Sequence, residues 1–153
     1  MPEKETIERA REDAREGKSP STQAGEFVRE EMHHVREGKH GAASAKQAIA
    51  IGLSKARRAG VQLQVPAKAK ALPETIKQAE RENRKGESHS ASRPSPTRSR
   101  AVIQALKKEG HSAASHRSLA RQARAAAKKR GPAARHKSAV KASQTRSRTG
   151  KRG

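Results

Sequence analysis

Large apolar side chains are what this chain most lacks. Ile, Leu, Val, Met and Phe supply 19 of its 153 residues, and Phe27 is the single aromatic. A globular chain of 16.6 kDa normally has more, so any core is small or interrupted. No run approaches the roughly 18 apolar residues of a membrane span. The opening MPEKETIERARED lacks the apolar centre of a secretory signal. Cysteine is absent, which excludes disulfides, thiolate metal sites and thiol nucleophiles and suits a reducing cytosol.

The charge is as unusual as the apolar content. Lys and Arg number 36 against 15 Asp and Glu, a net of +21. It is also polarised. Residues 1–38 carry 7 basic and 10 acidic side chains (net −3), and residues 39–153 carry 29 and 5 (net +24). Such a surplus repels itself in a compact state, and an anionic polymer relieves that repulsion.

Two internal echoes point to a tandem duplication. Thr6-Ile7-x-x-Ala10-x-x-x-x-Arg15-x-Gly17-x-Ser19 recurs as Thr75-Ile76-x-x-Ala79-x-x-x-x-Arg84-x-Gly86-x-Ser88, and each copy follows a Pro-Glu pair. His40-x-Ala42-Ala43-Ser44 recurs as His111-x-Ala113-Ala114-Ser115. Repeats of this kind change the fold expected of a chain. The same segments supply punctuation. Gly38 and Gly110 mark helix ends, Ser44 and Ser115 mark N-caps, and Pro20, Pro73 and Pro96 suit first turns. The reading is all-α, with short helices near 3–16, 21–36, 45–59, 73–85, 97–109 and 116–130, and room for a further short piece near 133–142. Val61–Val65 alternates like a strand, but Pro66 stops it and it has no partner, so an extended packed segment is expected.

Helical spacing places Phe27, Val28, Met32 and Val35 on one stripe, and Ala45, Ala48, Ile49, Gly52, Leu53 and Ala56 on another. These close a hairpin with Ile7. Val102, Ile103 and Leu106 stand where the Phe27 stripe would be in a second unit, and Leu119, Ala120, Ala123 and Ala127 where the Ile49 stripe would be. The expected organisation is a better-packed unit at 1–65, a fourth helix (about 73–85) with linkers across 66–96, a weakly packed basic unit at 97–131, and a disordered basic tail at 132–153.

The candidate functional residues are cationic. Arg117, Arg121, Arg124 and Lys128 fall at i, i+4, i+7 and i+11, one side of a helix over about 16 Å. Four like charges there destabilise an isolated helix, and a polyphosphate reverses that sign. Lys129 and Arg130 extend the stripe. Lys39 precedes the third helix, which holds Lys46, Arg57 and Arg58; Arg98 and Arg100 lie in the fifth, and Arg135, Lys137, Arg146 and Arg148 in the tail. The loops Gly38–Lys46 and His111–Arg117 place amides at helix N-termini, a second candidate for phosphate, against the plainer reading of capped connections. Gly17-Lys18-Ser19 fails as a phosphate loop, since Glu12 occupies the required glycine and no strand precedes it. His33, His34 and His40 suggest a metal, but no acid or thiol completes a set in the sequence, so no metal, cofactor or catalytic group is expected. Ser95-Pro96-Thr97-Arg98, after Arg93-Pro94, resembles the Ser-Pro-x-basic elements of linker-histone tails. A plain turn or cap explains it more simply.

The segment Lys46-Gln47-Ala48-Ile49-Ala50-Ile51-Gly52-Leu53-Ser54-Lys55-Ala56-Arg57-Arg58-Ala59-Gly60 resembles the hallmark of an uncharacterised bacterial domain-of-unknown-function family of small basic proteins, over roughly residues 24–61. The resemblance implies a bacterial origin and brings no activity. Residues 113–153 resemble the Ala/Lys/Arg-rich tails of bacterial histone H1-like proteins.

Together these features lead to the expectation of a non-enzymatic, sequence-tolerant nucleic-acid binder in the bacterial cytoplasm, at the nucleoid. DNA is favoured over RNA as partner, because the chain lacks the aromatic residues that stack unpaired bases. No membrane and no small-molecule substrate are expected, and the oligomeric state is open. An RNA- or ribosome-associated basic protein is the first alternative. The second is a protein-interaction module formed by residues 3–36 with a basic appendage.

Overall fold

The computed structural model describes residues 2–68, 71–88 and 95–149. Among them the chain is all-helical: α1 (Lys4–Arg15), α2 (Pro20–Arg36), α3 (Ala45–Arg58), α4 (Pro73–Glu87), α5 (Pro96–Lys107), a 3-10 turn (Ser112–Ala114) and α6 (His116–Thr149). It divides into two compact units, Met1–Ser115 and His116–Gly153.

The first unit is organised on the α2–α3 hairpin, with α1 laid on α2 and α4 on α3. Proline opens α2 and α4 in the first turn, where a missing N–H costs nothing. Ser44 caps α3 by accepting from the Gln47 amide at 3.2 Å. Gly38 (φ 73°) and Gly60 (φ 98°) close α2 and α3 in the left-handed region that other residues enter at a cost. Gly110, read as the matching stop after α5, is absent from that region. Its carbonyl instead accepts from the Ala42 amide at 3.1 Å.

The core is small, as the apolar count demands. Phe27 is its largest member, buried among Ala10, Ala24, Ala56 and Val61, with Ile7, Leu53 and Leu63 packed against them. Alanine and glycine make this possible by letting backbones approach. A Cβ on Gly52 would stand 2.7 Å from the Val28 Cα, so α3 crosses α2 at a distance only glycine allows. Val61–Val65 is extended rather than a strand. It turns Val61 and Leu63 inward, and the Asn83 amide donates to the Leu63 carbonyl at 2.9 Å.

The echoed segments take part in packing. Ala10 and its counterpart Ala79 are both buried, on α1 and α4. The two Ala-Ala loops meet. Gly41 donates to the Leu106 carbonyl at 2.9 Å, Arg36 Nε donates to the Ala114 carbonyl at 2.9 Å, and Ala42, Ala113 and Ala114 are all buried.

Other expectations differ from the structure. Val102 and Ile103 do not replace the Phe27 stripe: they are 52% and 48% exposed, and within α5 only Leu106 and Ser99 reach intermediate burial. The compact units divide at Ser115, so α5 goes with the first unit rather than with a second unit at 97–131. The stretch expected as a disordered tail from 132 is helical as far as Thr149. Its physical basis is intrinsic propensity: Ala, Lys, Arg and Gln are good helix formers, and Pro132 occupies a first turn. The helix breaks at Gly131 (φ 77°, ψ 170°). The last four tail residues, 150–153, and the Arg93-Pro94 pair lie outside the described residues.

Candidate functional site

Helix α6 carries eleven Lys and Arg residues and no acid. At 100° per residue Arg117, Arg121, Arg124 and Lys128 fall within an arc of about 60°. All four are exposed, as are Lys129 and Arg130, which turn to other sides. Beyond the break, Arg135, Lys137, Arg146 and Arg148 are exposed as well. Arg135 and Arg146 fall on one side of that segment, with Lys137 and Arg148 opposite. Arg135 Nε reaches back to the Gly131 carbonyl at 3.4 Å and Arg146 Nε to the Ala142 carbonyl at 3.3 Å.

The first unit treats its charges differently. Lys18 sits between Asp13 and Glu16, each at 2.7 Å, and their hydrogen bonds push its pKa up. Arg9 bridges Glu5 and Glu26. Lys39, a candidate phosphate ligand, is already held by Glu37 at 3.1 Å and Glu3 at 3.3 Å, which raise its pKa. Such ion pairs link α1 to α2 and the segment after α2 to Glu3. Lys46, Arg98 and Arg100 are exposed, and Arg57 is half-buried. Arg58 folds back so that Nη2 donates to Ser54 Oγ at 3.1 Å.

The Gly38–Lys46 loop is not an open cradle. The Gly41 and Ala42 amides are taken by the carbonyls of Leu106 and Gly110, and the Ala43 amide by Gln47 Oε1 at 2.7 Å. A Cβ on Gly41 would lie 1.9 Å from the Glu109 carbonyl oxygen, so the loop is pressed against its partner backbone. It is a capped connection, because the chain seventy residues on uses its donors.

A polar cluster that sequence reasoning missed lies under α2. Glu30 and Glu31 are 5% and 0% exposed. Lys55 Nζ stands 2.7 Å from Glu31 Oε2 and 3.2 Å from Glu30 Oε1. His40 Nε2 is 3.2 Å from Glu31 Oε1, and His34 Nε2 is 2.9 Å from Glu3 Oε1. Burial alone would push the Glu30 carboxyl up. The Thr6 hydroxyl facing it, the Glu3 amide and the Lys55 ammonium outweigh that and hold it below the usual carboxylate range. Glu3 is held low by His34 and then by Lys39. The signal was present in the sequence: Glu31 sits in register with Ala24, Phe27 and Val35, an acid at the centre of an apolar stripe. It supplies the carboxylate that the histidines lacked in the sequence reading.

Residues 19–70, which hold the α2–α3 hairpin and the extended segment after it, match a family of unknown function (DUF6496). This agrees with the resemblance drawn from the Lys46–Gly60 segment. No curated protein and no solved structure matches the chain.

Proposed function

We propose that the chain binds nucleic acid, duplex DNA in the first place, through non-specific phosphate contacts made by α6. The observation that carries this reading is the distribution of charge. The first unit pairs many of its cations with its own acids, while the unit from His116 onward has 13 basic residues and no acidic one. A helix of that composition repels itself in water and is relieved by a polyanion. Each phosphate it neutralises releases counterions, so affinity arises without base readout. Aromatic side chains that would stack on unpaired bases are limited to Phe27, which is buried. That favours a duplex over single-stranded targets. No helix among the described residues is long and apolar enough to cross a membrane. A DNA-compacting role at the nucleoid follows if one chain touches two duplexes.

The test is a titration of the full-length protein against a random-sequence duplex, a folded RNA and anionic vesicles at several salt concentrations. Tight, steeply salt-dependent binding to the duplex is expected. Preference for the folded RNA selects the RNA-associated alternative, and failure to bind either nucleic acid at low salt overturns the proposal.

A further inference from the structure

The cluster beneath α2 has too little positive charge for its carboxylates. Glu30 and Glu31 are both buried, and Lys55 supplies one ammonium between them. Buried charges need compensation, and here one negative charge is left over if the histidines are neutral. Neither Glu31 oxygen has a hydrogen bond of good geometry, though Lys55 Nζ and His40 Nε2 stand at ion-pair distance.

The histidines show where the missing charge belongs. His40 Nδ1 lies 3.0 Å from the Gly41 carbonyl oxygen, which can only accept, so Nδ1 carries the proton. In the neutral ring Nε2 is then a lone pair, and it faces Glu31 Oε1 at 3.2 Å. Two lone-pair atoms at that distance require a cation. His34 repeats the pattern. Its Nε2 meets the Glu3 carboxylate at 2.9 Å, which assigns the proton to Nε2 and leaves Nδ1 facing Glu30 Oε1 at 4.0 Å.

We propose that Glu31, His34 and His40 bind one divalent transition-metal ion of the zinc class. One ligating atom from each residue lies within 4.8 Å of the others. Atoms around a tetrahedral ion at 2.0–2.2 Å sit about 3.3–3.6 Å apart, so the set has to close by about 1 Å. The movement falls to the side chains, since the loop backbone is held by the Leu106 and Gly110 carbonyls. Two imidazoles and one carboxylate suit a borderline ion rather than calcium or magnesium. The outer partners fit too: His40 donates to a backbone carbonyl and His34 to a carboxylate, the arrangement that orients ligating imidazoles. A polar cleft whose lining includes Glu3, Glu30, His34 and Lys39 opens beside His34, one of the three ligands. The ion would tie α2 to the loop that follows it. The rival is a proton on His40 that completes a plain ion-pair network.

The test uses the full-length protein stripped with a chelator and titrated with Zn2+ by calorimetry. One equivalent is expected to bind and to raise the unfolding midpoint in proportion to the logarithm of free zinc. Glu31→Gln, His34→Ala and His40→Ala should each weaken binding at least tenfold, whereas His33→Ala and His116→Ala should not. X-ray absorption on the zinc-loaded wild type needs no variant and should show two imidazole ligands. No saturable binding, fewer than two imidazoles, or equal losses in the His33 and His116 variants would overturn the proposal and leave the protonated network.

Discussion

Replacing Arg117, Arg121, Arg124 and Lys128 together by Gln tests the assignment of α6 most directly. Gln is nearly as good a helix former as Lys or Arg, so the helix itself should persist. The four side chains are exposed on a helix free of acidic residues. All can therefore reach phosphates along about 16 Å of duplex, where each strand offers one phosphate per roughly 3.4 Å. Each lost contact removes about 0.9 from the slope of log affinity against log salt, so four remove about 3.6. Between 50 and 200 mM salt, the wild type should then lose about 150-fold more affinity than the variant. Fluorescence anisotropy with a labelled duplex of 20–30 base pairs measures both slopes, and circular dichroism checks the helix. Lys18→Gln with Lys39→Gln is the control. Those ammonium groups already bridge Asp13, Glu16, Glu37 and Glu3, so the slope should scarcely move. A four-Gln variant with the wild-type slope would place the phosphate contacts elsewhere.

Three further predictions concern the first unit. Phe27→Ala removes the largest core side chain, 1% exposed, and should cost about 3–5 kcal/mol in urea unfolding; a loss under about 1 kcal/mol would show that the core collapses around the gap. Gly52→Ala drives a methyl to 2.7 Å from the Val28 Cα and should destabilise by about 1–3 kcal/mol despite its better helix propensity, with an unchanged midpoint refuting the close crossing. Glu30 has a folded-state pKa below its ordinary 4.5, so its contribution to stability is complete above that value and is lost as the pH falls through the folded-state pKa. Glu30→Gln should flatten this acid limb in unfolding experiments across pH 2–6, and an unaltered limb would mean other carboxylates carry it.

Much of the helical framework was legible because its signals are local. Pro20, Pro73 and Pro96 begin helices, Gly38 ends one, and Ser44 caps another. The hairpin stripes followed from periodicity, which the burial of Phe27, Val35, Ala48 and Ala56 repeats. What escaped was non-local or independent of burial. The amides of Gly41 and Ala42 read as free because their acceptors, Leu106 and Gly110, are far along the chain. The Glu31 cluster draws on α2, the loop after it and α3, and no single window contains it. Val102 and Ile103 follow the Phe27 stripe by analogy, but among the described residues no helix covers them on α5. The helix beyond Pro132 has almost no apolar face, so a reading based on core formation had nothing to register there.

The bond from the Ala42 amide to the Gly110 carbonyl has a consequence for the order of assembly. At 5–20 residues per second a ribosome needs about 3–14 s to make the 68 residues between the two positions. Through that interval the N-terminal hairpin can form, but its connecting bend has an unlatched backbone. The nascent hairpin therefore waits for a late-arriving strap before its amides are shielded. Truncation before residue 106 would leave the Gly41 and Ala42 amides without these acceptors and open to hydrogen exchange.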